Sequence, residues 1–74
     1  GNMALFCERL KLLRKERGLK QREMAEQLGL ALSSYQCYEY AQRFPDFHGL
    51  IAIADFFDVS LDYLVGRSNV RERR

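Results

Sequence analysis

Twenty residues, Gln21 to Tyr40, restrict the possible folds more than any other part of this chain. Met24, Ala25 and Leu28 recur at the three- and four-residue spacing of one helix face. Gly29 follows where a left-handed cap is needed, a conformation glycine adopts without a Cβ clash. Leu30 turns back to the core, and a second helical pattern begins within three residues. Two short helices joined by a glycine turn present the second helix outward. That helix has a buried side, Tyr35 and Tyr38, and a polar side, Ser33, Gln36 and Cys37.

The flanking segments read as support. Phe6, Leu10, Leu13 and Arg17 share a face of a first helix over residues 3–17, with Leu5 and Leu12 beside them. Gly18 ends it and Leu19 returns to the core. The second helix starts at Lys20 or Gln21 with Glu23 placed for a capping box, although Lys20 stands where Ser or Thr is expected. The third runs over residues 32–40. Ala31 cannot cap it, whereas Ser33 and Gln36 form an S-x-x-Q box one step later, so a late start stays open. Residues 41–45 are a loop closed by Pro45. Asp46 caps a fourth helix over residues 47–57, whose apolar face is Leu50, Ile51, Ile53, Ala54 and Phe57. Ser60 caps a short fifth over residues 61–65, and Gly66 closes it. No strand alternation appears, so the reading is an all-α, five-helix domain over residues 4–66. Residues 1–3 read as a tag remnant or N-terminal arm, and residues 67–74 as a mobile basic tail.

The chain has 74 residues, enough for one small domain. Its net charge of +2 conceals a pattern: residues 1–45 carry +3, residues 46–66 carry −4 and residues 67–74 carry +3. Such alternation fits either an ordinary solvated surface or one face for an anionic partner. No apolar run is long enough to span a membrane and nothing resembles a signal peptide, which points to the cytoplasm. Cys7 and Cys37 have no metal spacing, and His48 stands alone, so neither a metal nor a cofactor is expected. No paired nucleophile and base and no phosphate loop occur, which argues against an enzyme.

The residues FCERLKLLRKERGLKQREMAEQLGL, the Tyr38-Glu39 pair, Pro45 and IADFFDVSLDYLVGRS resemble the phage repressor and Cro type of helix-turn-helix domain, the Xre-like, lambda-repressor-like family. The likeness runs from Phe6 to Ser68. It is carried by R-x-x-x-G-L-x-Q at Arg14 to Gln21, A-x-x-L-G-L in the turn, and D-Y-L-V-G at Asp62 to Gly66. The resemblance implies a sequence-specific, double-stranded-DNA-binding transcriptional regulator, a repressor of bacterial, phage or mobile-element origin. It implies a third helix in the major groove and a homodimer. Leu32, Ser33, Gln36 and Cys37 then match base-facing positions, and Gln21, Tyr40, Gln42 and Arg43 match positions that hold the DNA backbone. Arg14 and Glu39 match a pair that ties the first helix to the third. The fifth helix near Tyr63 and Val65 is a candidate for the dimer contact or for packing on the first helix.

The sequence departs from the pattern in three features. The segment from Ala31 to Ala41 contains no base, Tyr35 replaces a small aliphatic residue, and Ala41 stands where glycine is common. Phosphate attraction must therefore come from the cations between Arg9 and Arg22, from Arg43 and from the tail. The uncharged, aromatic third helix also suits another class, a protein-binding adaptor, antitoxin or anti-repressor module that keeps the fold. Exposure of its tyrosines as an apolar patch would mark that case.

Overall fold

A computed structural model of the protein describes residues 3–73, with the backbone but not the side chain of Met3. Gly1, Asn2 and Arg74, part of the expected remnant and tail, lie outside the described residues. Five helices follow one another: α1 (Met3–Glu16), α2 (Gln21–Leu28), α3 (Leu32–Glu39), α4 (Phe47–Phe57) and α5 (Leu61–Leu64). None is long and apolar enough to cross a membrane.

The core forms where the apolar faces converge. Phe6 and Leu10 of α1, Met24 of α2, Tyr35 of α3, Ile53 of α4 and Leu64 of α5 are wholly enclosed. Burying an apolar side chain of this size is worth roughly 1.5–3 kcal/mol each before chain entropy opposes it. Helix α2 packs on α3, α1 on both α3 and α5, and α4 on α5. Leu12, expected beside the core, is instead 45% exposed. Arg17, expected on the same apolar face, reaches over the Phe56 ring at 5.1 Å and donates to the Phe56 carbonyl at 3.0 Å.

The caps fall into two groups. Asp46 accepts from the Gly49 N–H at 2.8 Å and Ser60 from the Tyr63 N–H at 3.0 Å, closing the N-termini of α4 and α5. At α2 only half a box forms, the Lys20 N–H donating to Glu23 Oε1 at 2.8 Å, because an ammonium has no lone pair to offer. Helix α3 starts at Leu32 with Ala31 as an extended N-cap and no side-chain cap. The late start at Ser33 does not occur; Tyr35 N–H already bonds the Ala31 carbonyl at 3.1 Å.

The segment after Gly66 was expected to be mobile but lies along the domain. Arg71 grips Glu16 with two bonds of 2.9 Å, and its carbonyl accepts from the Ser60 N–H at 2.7 Å. Arg73 reaches Asp55 and the Val59 carbonyl. Arg9 donates to the Tyr63 carbonyl, to the Ser68 carbonyl at 2.7 Å and to Asn69 at 2.7 Å. Tyr63 is buried between the Arg9 and Arg71 guanidiniums, at 4.2 and 5.2 Å. Helix α5 thus packs against α1, as one of its two sequence readings has it.

Ala41 ends the turn after α3 with φ of 60°, a left-handed conformation. That costs a residue with a Cβ about 1–2 kcal/mol, partly offset by the smaller entropy loss of alanine on folding. Because Ala41 is exposed, Ala41→Gly is expected to stabilise the domain by about 0.5–1 kcal/mol. Urea melts of the two proteins measure it, and an unchanged or lower midpoint would contradict it.

Candidate nucleic-acid interface

Glu39 is the centre from which the site is built. Its side chain is 0% exposed at the junction of α1, α2 and α3. An ionised carboxylate there needs donors, because burial without them is prohibitive. Four converge on it. Arg14 supplies Nε at 2.6 Å and Nη2 at 3.2 Å, Tyr35 supplies its hydroxyl, and Gln21 supplies Nε2 at 3.1 Å. Arg14 also donates Nη1 to the Leu19 carbonyl at 2.8 Å, fixing the turn that leads into α2. Burial pushes the Glu39 carboxyl up, but the bonds from Arg14, Tyr35 and Gln21 outweigh it, so Glu39 sits below the ordinary carboxylate range. Burial, and then the bond to Glu39, push the Tyr35 hydroxyl up, so it stays a donor.

The acceptor-only carboxylate then orients what lies above it. Gln21 must turn Nε2 toward Glu39, which turns Oε1 outward. That oxygen accepts from Gln36 Nε2 at 3.1 Å, and the Tyr40 hydroxyl stands 3.3 Å from Gln21 Nε2. One N–H of Gln36 is thereby engaged, and its Oε1 and other N–H remain for a ligand. The buried charge thus aims the half-buried amide of Gln36, midway along α3, through one intervening side chain.

The residues expected at the DNA are distributed unevenly. Ser33 is exposed, and Leu32, Gln36 and Cys37 are half-buried. Cys37 Sγ lies 3.5 Å from Gln42 Oε1, and the Cys37 carbonyl accepts from the Gln42 N–H at 2.9 Å, so these two are partners of each other. Gln21 has its side chain in the interior network, leaving its backbone N–H at the open start of α2. Tyr40 and Arg43 are exposed beyond α3. The two tyrosines of α3 are turned inward, Tyr35 enclosed and Tyr38 packed against the core, whereas Tyr40 beyond it is 54% exposed with its hydroxyl toward Gln21.

Two contributions escaped the sequence reading. Tyr35 is a donor to a charge as well as core, and its place four residues before Glu39 in α3 was the available signal. The cations also divide in a way that composition hides. Arg9, Arg14, Arg17, Arg71 and Arg73 are engaged within the domain. Lys20, Arg22 and Arg43, beside the starts of α2 and the end of α3, are exposed and carry no ion pair among the described residues.

Comparisons with known proteins give the family of the chain. Residues 7–70 match the family described as Helix-turn-helix domain. The HTH-type transcriptional regulator YqaE of Bacillus subtilis is 47% identical over 66 residues, 88% of this chain and 57% of that protein. The cryptic phage CTXphi transcriptional repressor RstR of Vibrio cholerae is 40% identical over 60 residues, 81% of this chain and 54% of its own. The crystal structure of a transcriptional regulator from Listeria innocua superposes with a TM-score of 0.78 at 39% identity, over 82% of this chain and 57% of that one. The chain thus spans little more than half the length of these relatives.

Removing Glu39 strands the Arg14 charge, and breaking a buried pair from one side costs about 3–5 kcal/mol. Glu39→Ala is expected to lose that much in urea denaturation, against a total of roughly 4–11 kcal/mol for a domain of this size. Because the folded pKa of Glu39 is depressed, its stabilisation is complete above the ordinary value of 4.5 and declines as pH falls through the lower folded value. Glu39→Gln should flatten that acid limb; an acid limb identical to that of the unaltered protein would contradict the assignment.

Proposed function

This chain belongs to the Helix-turn-helix domain family, and we propose from that premise that it is the DNA-binding part of a transcriptional repressor that reads a two-fold operator as a homodimer. The observation that carries the reading is the contrast in caps. The two helices on the packing side, α4 and α5, have side-chain caps, whereas α2 and α3 have none. First-turn N–H groups without partners, at the positive end of a helix dipole, are ready acceptors of phosphate. Both open ends belong to the helix pair whose exposed side carries the oriented amide of Gln36.

In this reading α3 enters the major groove with Ser33 and Gln36 toward the bases, and Leu32 and Cys37 beside them as apolar and thiol contacts. The free Oε1 and N–H of Gln36 suit the paired donor and acceptor of adenine. Gln21 meets a phosphate through its backbone N–H, with Tyr40, Gln42 and Arg43 holding the strand beyond α3. The relatives' names as regulators and repressors support the class. A protein-binding module on α3 would present its tyrosines as an exposed patch, and Tyr35 is enclosed while Tyr38 packs against the core.

Selection from a random duplex library at low salt, with sequencing of the bound pool, tests the function. A palindrome with half-sites about 10 bp apart is expected, and a folded sample that enriches nothing would overturn it. Gln36→Ala should change the preferred base at one position of each half-site, whereas Arg43→Ala should weaken all sequences alike. With Lys20, Arg22 and Arg43 as the phosphate cations, log K against log salt should fall with a slope of about −3 per half-site.

A further inference from the structure

Residues 67–73 are basic, yet they are laid across the domain by contacts of two kinds. Neutral acceptors and donors hold the near half. Arg9 of α1 donates to the Ser68 carbonyl and to Asn69 Oδ1, both at 2.7 Å. Ser60 serves the strand twice, its N–H donating to the Arg71 carbonyl at 2.7 Å and its hydroxyl to the Val70 carbonyl at 2.9 Å. Charge holds the far half. Arg71 meets Glu16 of α1 through two bonds of 2.9 Å, and Arg73 meets Asp55 of α4 and, at 3.5 Å, Asp58 beyond it. The side chains of these pairs are 42–83% exposed. Exposed pairs are individually weak and are screened by salt, so the far half is the part that lets go first.

We propose that residues 67–73 are an autoinhibitory strap: docked, they keep Arg71 and Arg73 on the domain's own carboxylates, and released, they present both guanidiniums to the phosphate chain of nucleic acid. The inference rests on the DNA-binding reading given above. Charge supplies the first argument. Residues 67–74 hold four arginines against one glutamate. A free tail of that charge would bind nucleic acid whatever its sequence, because phosphate contacts carry no sequence information. Docking meets Arg71 and Arg73 with Glu16, Asp55 and Asp58, and so withholds them from that indiscriminate binding. Competition is direct, since a guanidinium that grips a carboxylate with two parallel bonds grips a phosphate in the same way. Reach is sufficient as well. Seven residues extended from Gly66 span about 24 Å, against a domain of 30 × 22 × 20 Å, so the released strap extends round the domain to a duplex on α2 and α3. Ser60 is the joint of the device. The hydroxyl that holds Val70 also caps α5 by accepting from the Tyr63 N–H at 3.0 Å, which ties the docked strap to the end of that helix.

Two measurements on the whole chain test the strap. The Ser60 N–H has its partner in the strap, so its hydrogen exchange reports docking. It should be protected in the unaltered chain and exchange about threefold faster in Glu16→Gln, the shift expected for loss of one exposed pair. Binding of a duplex of arbitrary sequence between about 50 and 200 mM salt reads the cations released. Glu8→Gln is the control, because it removes the same charge from an exposed position about a quarter-turn round α1 from Arg9 and Glu16. At the low end of salt Glu16→Gln should bind about threefold more tightly than Glu8→Gln, with a slope of log K against log salt steeper by about 1. A Ser60 amide that exchanges as in an unstructured peptide, or equal gains in the two variants, overturns the proposal. Inorganic polyphosphate, a phosphate chain without bases, separates the two readings. If Glu16→Gln gains on polyphosphate while no form binds a duplex, the regulator reading fails and the strap stands. If a selected operator is bound but Glu16→Gln gains over Glu8→Gln on neither polyanion, the strap fails and the regulator reading stands.

Discussion

A buried carboxylate that accepts from four donors sets the geometry of this domain. Glu39 is enclosed where three helices meet, and an ion there is tolerable only if its partners hold their positions together. Arg14 brings α1 and the turn at Leu19, Gln21 brings the start of α2, and Tyr35 brings α3 itself. An apolar junction would permit the helices to slide by a fraction of an ångström at little cost. A charge with directional bonds does not, because each displacement leaves a donor or an oxygen unsatisfied. The same bonds continue outward through Gln21 to Gln36, so the requirement that holds the helices also aims a polar group at the surface.

Charge distribution follows the same division between inside and outside. The acidic segment over residues 46–66 and the basic tail are opposite in sign, and the fold brings parts of them together: Asp55 and Asp58 receive Arg73. Such exposed pairs contribute little stability each. Their consequence is that several cations counted in the net charge are compensated on the side of α1, α4 and α5. The cations left exposed and without an ion pair beside the starts of α2 and the end of α3 are Lys20, Arg22 and Arg43 among the described residues.

Much of the architecture was legible before any coordinates. Gly18, Gly29 and Gly66 adopt positive φ where helices end, and Asp46 and Ser60 cap where short polar side chains precede apolar runs. These are local rules, and local sequence is enough to apply them. The start of α3 was ambiguous because Ser33 offered a cap and Ala31 did not. Packing decided it: Tyr35 must lie inside to reach Glu39, and that sets the register of the helix from Leu32 onward. Leu12, read as flanking the apolar face of α1, is 45% exposed, as helix periodicity places it on the margin of that face.

By itself the sequence determined the number and order of the helices and, to within a residue or so, most of their ends, since these depend on neighbours three or four residues away. Tertiary structure alone decided which cations stay available, which end of the Gln21 amide faces outward, and how the segment after Gly66 runs. Each of those depends on a partner remote in the chain: Arg9 meets Ser68, Arg71 meets Glu16, and Gln21 meets Glu39. A side chain's composition announces what it can bond, but only the folded chain determines which of its possible partners comes within hydrogen-bond reach.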